Sequence, residues 1–333
     1  FRTLEDDGLI VRMDPREADL YGDRVLALLK EARETLSARY GSPPPNPMIV
    51  EIFPQKKEFA VRTFGLPGAD GLLGVCFGPV VTAISPAAQG ERPSNWESVL
   101  WHELCHAVTL TKSRNTMPRW LSEGTSVYEE GLKDPAWATR PTPAMIDRLR
   151  GNGLTPLSRL SSAFLEAKTA QDVQFAYYES ALAVEFLVEK AGFPALAGVL
   201  DDLGAGKIPE DALPARMGTT LEQLDAEFAA FAARKAEALA PGVDWEAPPL
   251  PEDADAQALA DWVAQHPKNH PARRRLAARL IADGRWPEAR SALDELKALA
   301  PDYVGPENAY MALAEVERKT GDAQAERAAL EDL

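Results

Sequence analysis

His102-Glu103-Leu104-Cys105-His106 is the stretch on which the reading of this chain turns. It lies in a run from Ser94 to Leu110 that reads as one helix, with Ser94 as N-cap and Glu97 at the capping-box spacing. On a helix, residues four apart differ by about 40° around the axis, so His102 and His106 project from one face and can both reach one metal ion. Glu103 stands about 100° round from His102, too far to be a third ligand but placed to hydrogen-bond a water on the metal. The bland alternative is two histidines satisfied by hydrogen bonds in a helical core. With only 4 histidines in the chain, chance rarely produces this pattern. His266 and His270 serve as an internal control: they too are four apart, but Pro267 and Pro271 break the helix that would align them, so they read as loop residues.

A zinc ion needs a third protein ligand and an open position for water. The metzincin continuation is excluded, because it requires Gly at 109 and His at 112, where this chain has Thr109 and Lys112. Instead, Pro118-Arg119-Trp120-Leu121-Ser122-Glu123-Gly124 starts a new helix. If the first helix ends near Leu110 and the second begins near Pro118, an antiparallel pair puts His106 and Glu123 each about one turn from the connection, at the same height. Glu123 then completes a His-His-Glu set. Glu129 and Glu130 lie further along and read as a solvated helix end, facing away from that level. Cys105 cannot share a metal with adjacent His106, because neighbouring helical side chains diverge by about 100°; it reads as a small buried hydrophobe.

Outward from this centre, Asp14 to Tyr40 reads as a helix on Leu20, Val25, Leu28, Leu29 and Leu36, stopped by Gly41 and Pro43-Pro44-Pro45. Met48 to Phe53 is a short strand, and Leu72 to Phe77 with Val80 to Ser85 form a hairpin across Gly78-Pro79. Residues 71–90 carry no charge, but Gly71, Gly74, Gly78, Pro79 and Pro86 cut them too short for a membrane span. From there to Ala240 the pattern is helical, including Trp120 to Glu130 and Phe175 to Lys190, each closed by a glycine, at 131 and 192. A formal net charge of −15 repels phosphate backbones and anionic lipid heads, which disfavours nucleic acid as a partner. Two cysteines, Cys76 and Cys105, are too few for a disulfide framework. The chain begins at Phe1 rather than Met, as expected if a targeting segment has been removed or lies outside it.

Pro241 to Asp255 is acidic and proline-rich and reads as a linker to a periodic tail. Leu259, Trp262 and Pro267 recur as Leu293, Leu296 and Pro301, an offset of 34. Gly284, Trp286, Ala289, Leu293, Leu296 and Pro301 fall at the signature positions of the tetratricopeptide (TPR) family, which the tail therefore resembles. The resemblance implies stacked helical hairpins with a concave surface for a protein partner. The repeats reach Leu333 without a polar cap, as expected of a chain that continues further.

His-Glu-x-x-His followed by a helix bearing Trp-Leu-x-Glu-Gly resembles the gluzincin metallopeptidases, the peptidase MA-like domains related to aminopeptidase N and thermolysin. The resemblance covers about residues 1–235. It implies an α+β fold, a mixed β-sheet with a helical subdomain, holding one zinc ion on His102, His106 and Glu123 with Glu103 as general base. Tyr177-Tyr178-Glu179-Ser180 is similar to the segment that supplies a tyrosine hydroxyl to the oxyanion in aminopeptidase-like members, a role that falls to Tyr178, with Tyr177 as its rival. Where those enzymes have a Gly-x-Met-Glu-Asn strand that grips a free amine, this chain has Gly74-Val75-Cys76-Phe77-Gly78 and no carboxylate. An endopeptidase is therefore expected, acting on a peptide or protein substrate laid along the strand from Leu72 to Ser85. The expected organisation is residues 1–145 and 146–240 as two parts of the catalytic domain, 241–255 as linker and 256–333 as repeats. Two competing readings are a TPR scaffold with a silent protease-like domain and a zinc hydrolase of a non-peptide substrate.

Overall fold

In the computed structural model the chain opens on a hairpin dictated by the alternation Leu9, Val11, Met13, all fully buried. β1 (Arg2–Asp6) pairs antiparallel with β2 (Leu9–Met13) across Asp7-Gly8, whose φ values of 46° and 78° suit a two-residue turn. α1 (Pro15–Tyr40) is capped by the Asp14 carboxylate, which accepts from the Arg16 and Glu17 amides, and ends at left-handed Gly41. Its buried face is Ala18, Gly22, Val25, Leu29, Ala32 and Leu36 at three- and four-residue steps. Leu20, expected in that set, is 82% exposed because it lies two positions, about 200°, round from Ala18. β3 (Met48–Phe53), α2 (Lys56–Phe64), β4 (Gly74–Phe77) and β5 (Val80–Ile84) follow, and the strand order β1-β2-β3-β5-β4 leaves β4 at one end of a mixed sheet. β5 runs parallel to β3 and antiparallel to β4, so the charge-free stretch forms the expected hairpin.

α3 (Trp96–Lys112) packs on α1, β4 and β5. Its N-cap is Asn95 rather than Ser94: the Asn95 side chain accepts from the Glu97 and Ser98 amides, and the Glu97 carboxylate takes a hydrogen bond from Arg24 of α1 instead of closing a capping box. α4 (Arg119–Lys133) continues through Gly131, which does not end it. Further along come α5 (Pro143–Leu149), α6 (Leu160–Glu166), α7 (Ala170–Gly204), α8 (Pro209–Met217), α9 (Leu221–Leu239), α10 (Ala256–Gln265), α11 (His270–Ala282), α12 (Trp286–Leu299), α13 (Ala309–Thr320) and α14 (Ala323–Glu331). Gly192, at φ 79°, interrupts α7 where the sequence places its stop.

The structure describes residues 1–65, 71–90, 94–151 and 153–333. They divide into one unit of residues 1–139 and 155–225 and another of 140–154 and 226–333, so the expected boundary at 145 falls inside α5. Within the second unit, Pro241 to Asp255 is a docked strap and not a free linker. Trp245 is 2% exposed, with ring centroids of His270 and Tyr303 at 4.4 and 5.3 Å. Asp244 and His270 bond backbone to backbone, Asn269 Nδ2 donates to Asp244 Oδ2 at 2.7 Å, and Arg150 Nη1 donates to the Val243 carbonyl at 2.9 Å. The prolines keep the segment out of helix, and the buried indole fixes it in place. Ala289, Leu293 and Leu296, singled out by the repeat pattern, are buried in one core with Leu280, Leu313 and Ala314. Among the described residues no helix is long and apolar enough to cross a membrane.

Candidate metal centre

α3 is held rigidly because Leu100, Trp101, Leu104, Cys105 and Val108 bury most of its circumference. The remaining strip carries His102 and His106, whose rings lie edge to face with centroids 4.6 Å apart. From α4, Glu123 Oε2 reaches 3.4 Å from His102 Nε2 and 3.3 Å from His106 Nε2. The three donor atoms all lie within 4.8 Å of one another. Gly124 sits where α4 crosses α7 so closely that a Cβ would collide with the Ser180 carbonyl, which explains a glycine directly after the acidic ligand candidate.

Each imidazole is oriented from behind. His102 Nδ1 lies 2.7 Å from Glu130 Oε1, and the Ser98 hydroxyl donates to the other oxygen of the same carboxylate. His106 Nδ1 lies 2.9 Å from Ser122 Oγ and 3.3 Å from Ser126 Oγ. When a metal takes the place of a proton on Nε2, these partners keep the remaining ring proton on Nδ1 and leave both Nε2 lone pairs facing the shared point, as metal-binding histidines require. Burial lowers the affinity of His102 for a proton, but hydrogen bonds to Glu123 and Glu130 outweigh it and raise its pKa to about 10. Burial would raise that of Glu123, but hydrogen bonds from the two histidines hold it well below the usual carboxylate range. Two nitrogens and one carboxylate oxygen converging without a clash, each already oriented, fit a zinc-like divalent ion.

Glu130 is thus not a solvated helix end. Seven residues make nearly two full turns, so it shares a face with Glu123, and the antiparallel run of α4 carries it back to His102. Glu129 is also buried: it pairs with Arg39 and accepts from the Tyr40 hydroxyl at 2.7 Å, tying α4 to α1. The i+7 spacing was the signal for Glu130. Ser122 and Ser126, flanking Glu123 by one and three positions, carried no comparable one.

Glu103 is 6% exposed, and burial raises its pKa above the ordinary range. Its carboxylate packs on the end strand: a Cβ at Gly74 would stand 2.7 Å from Glu103 Oε1 and 2.9 Å from Val99 Cγ1. Cys76, two residues on along β4, is a free thiol pushed up to about 12, chiefly by burial and then by Glu103. Cys105 is fully buried, as its small apolar character requires.

The two tyrosines of the motif lie in different surroundings. Tyr178 packs on Phe175, with ring centroids 6.4 Å apart, and its charged neighbour is Glu185. Tyr177 is the one that feels the metal-ligand cluster: burial raises its pKa most and the charge of Glu123 next, while Arg119 lowers it. Glu179, the next residue, is fully buried and accepts from the Thr155 amide and hydroxyl, both at 3.0 Å. His266 and His270 do not converge: His266 stacks on Trp262 at the end of α10, and His270 is buried at the start of α11.

Residues 74–234 match the family model described as Peptidase MA superfamily, so over that span the chain resembles a peptidase MA domain. The matched span begins at the glycine beside Glu103 and takes in α3, α4 and α7. Comparison with curated proteins finds no match.

Proposed function

We propose that this domain is a gluzincin-type zinc endopeptidase. The observation that carries the reading is the convergence of His102 Nε2, His106 Nε2 and a Glu123 carboxylate oxygen, with both Nδ1 atoms partnered and Glu103 alongside. Zinc in this set supplies Lewis acidity and lowers the pKa of water. Glu103 takes the proton from the attacking water and passes it to the leaving amine; a carboxylate raised by burial is closer to the pH at which both transfers are favourable. β4 lies at the end of the sheet order, and an extended substrate adds to it backbone to backbone, with Gly74 admitting the chain close to Glu103. Tyr177, in place of Tyr178, donates to the developing oxyanion. The charge-free β4, with no carboxylate to hold a free amine, supports internal cleavage. The helical hairpins of the second unit are read as TPR-like repeats that recruit a protein partner.

Mass-spectrometric mapping of cuts in an unbiased peptide library tests the assignment. Internal cuts that vanish on chelation and return with zinc are expected. Stepwise loss of N-terminal residues would make it an aminopeptidase, and no cleavage of any peptide would favour the non-peptide hydrolase.

A further inference from the structure

Arg119 is the first residue of α4, one turn before Glu123. Its side chain is half exposed, yet it has two partners. The guanidinium carbon lies 4.4 Å from the ring centroid of Phe164, a buried residue of α6. Nε lies 3.6 Å from Glu123 Oε1, the oxygen that does not face the two histidines. Arg119 also acts on the Tyr177 hydroxyl, lowering its pKa against burial, and the Tyr177 ring meets Phe164 edge-on at 5.2 Å and 90°. A flat guanidinium stacked on an aromatic face is a fixed fork of donors, which a lysine cannot reproduce.

We propose that Arg119 is a positioning residue that joins the carboxylate ligand to the oxyanion-facing tyrosine, holding the second oxygen of Glu123 and occupying the acceptor side of the Tyr177 hydroxyl. The inference rests on the peptidase reading for its tyrosine half, and only on the metal site for its carboxylate half. Held at Oε1, Glu123 offers Oε2 alone to the shared point between the histidines. With its oxygen turned towards a cation, the phenol has its own proton left for donation, and the cation strengthens that donation. The guanidinium carbon over the Phe164 ring anchors the group from which both contacts are made.

The test uses the full chain with Arg119→Gln, Arg119→Lys, Tyr177→Phe and the Arg119→Gln/Tyr177→Phe double variant. Zinc affinity is measured by competition with a chromogenic chelator, and kcat and KM on the best library peptide. Arg119→Gln is expected to weaken zinc binding by about tenfold, as loss of a partner to a ligand does. It should lower kcat by roughly tenfold to a hundredfold with KM nearly unchanged. Arg119→Lys should recover part of both losses. In the Tyr177→Phe background Arg119→Gln should cost far less kcat than alone, since both act through one hydroxyl. Unchanged zinc affinity in Arg119→Gln, a rise in KM alone, or full additivity with Tyr177→Phe each overturns the proposal. If the wild type cleaves no peptide, the peptidase reading fails, and the zinc affinities still decide whether Arg119 positions Glu123.

Discussion

Two histidine pairs with the same four-residue spacing end in opposite situations. His102 and His106 stand on an unbroken helix, point to one place and are backed by Glu130, Ser122 and Ser126. His266 and His270 are parted by Pro267 and a turn; one stacks on Trp262 and the other is buried against Trp245 with Nδ1 unpartnered. Burial and the charge of Arg274 lower the pKa of His270 to about 4, the reverse of what carboxylate partners do to His102. Spacing alone therefore makes no metal site. Helix continuity supplies convergence, and an acidic neighbour on a second helix supplies the orientation.

The largest expected effect breaks the contrast outright. Glu123→Ala should abolish stoichiometric zinc binding in elemental analysis, whereas His266→Ala and His270→Ala should leave it at the wild-type level. Full occupancy in Glu123→Ala would remove the third ligand from the account. Next comes Gly74→Ala, whose Cβ would press on the Glu103 carboxylate. A displacement on the ångström scale costs about a hundredfold in kcat while metal content stays whole, and unaltered turnover would show that β4 does not set the position of the base.

Glu130→Gln sharpens the comparison by removing the acidic backing while keeping the shape. Zinc affinity should fall by about tenfold to a hundredfold in chelator competition, the usual cost of losing such a partner. A milder effect concerns protons. Because His102 without metal has its pKa raised to about 10, the site holds a proton there at neutral pH that a bound metal excludes. Zinc binding should then release about one proton, and affinity should rise about tenfold per pH unit from near neutrality towards pH 10. Calorimetry in buffers of different ionisation enthalpy reads the proton directly; no release at pH 7.5 would mean that His102 is neutral in the metal-free site.

The parts legible in the sequence are those fixed by local periodicity. α1, the β4–β5 hairpin and the convergence of His102, His106 and Glu123 follow from helix angles, turn residues and a short connection. The β1–β2 hairpin carried the Asp7-Gly8 signal but was masked by charged residues in β1, and α2 buries too little, Phe59 and Ala60, to show a period. Glu130 was missed because height along the helix was compared without the angle. Tyr177 and Tyr178 were inseparable because α7 is buried on nearly every side around them, so apolar pattern does not reveal which face meets α4. Trp245 shows the limit of composition: an acidic, proline-rich segment reads as a spacer, and one indole in a fitted pocket makes it part of the core.

The central claim is that Glu103 moves the proton for a metal-assisted hydrolysis at the His102, His106 and Glu123 set. Zinc stoichiometry and peptide turnover, measured side by side in wild type and Glu103→Gln, test it most directly. The account predicts one zinc per chain in both proteins and turnover in the wild type alone, because the amide keeps the shape of the side chain but cannot accept the proton. Equal turnover in Glu103→Gln at full zinc occupancy would contradict it.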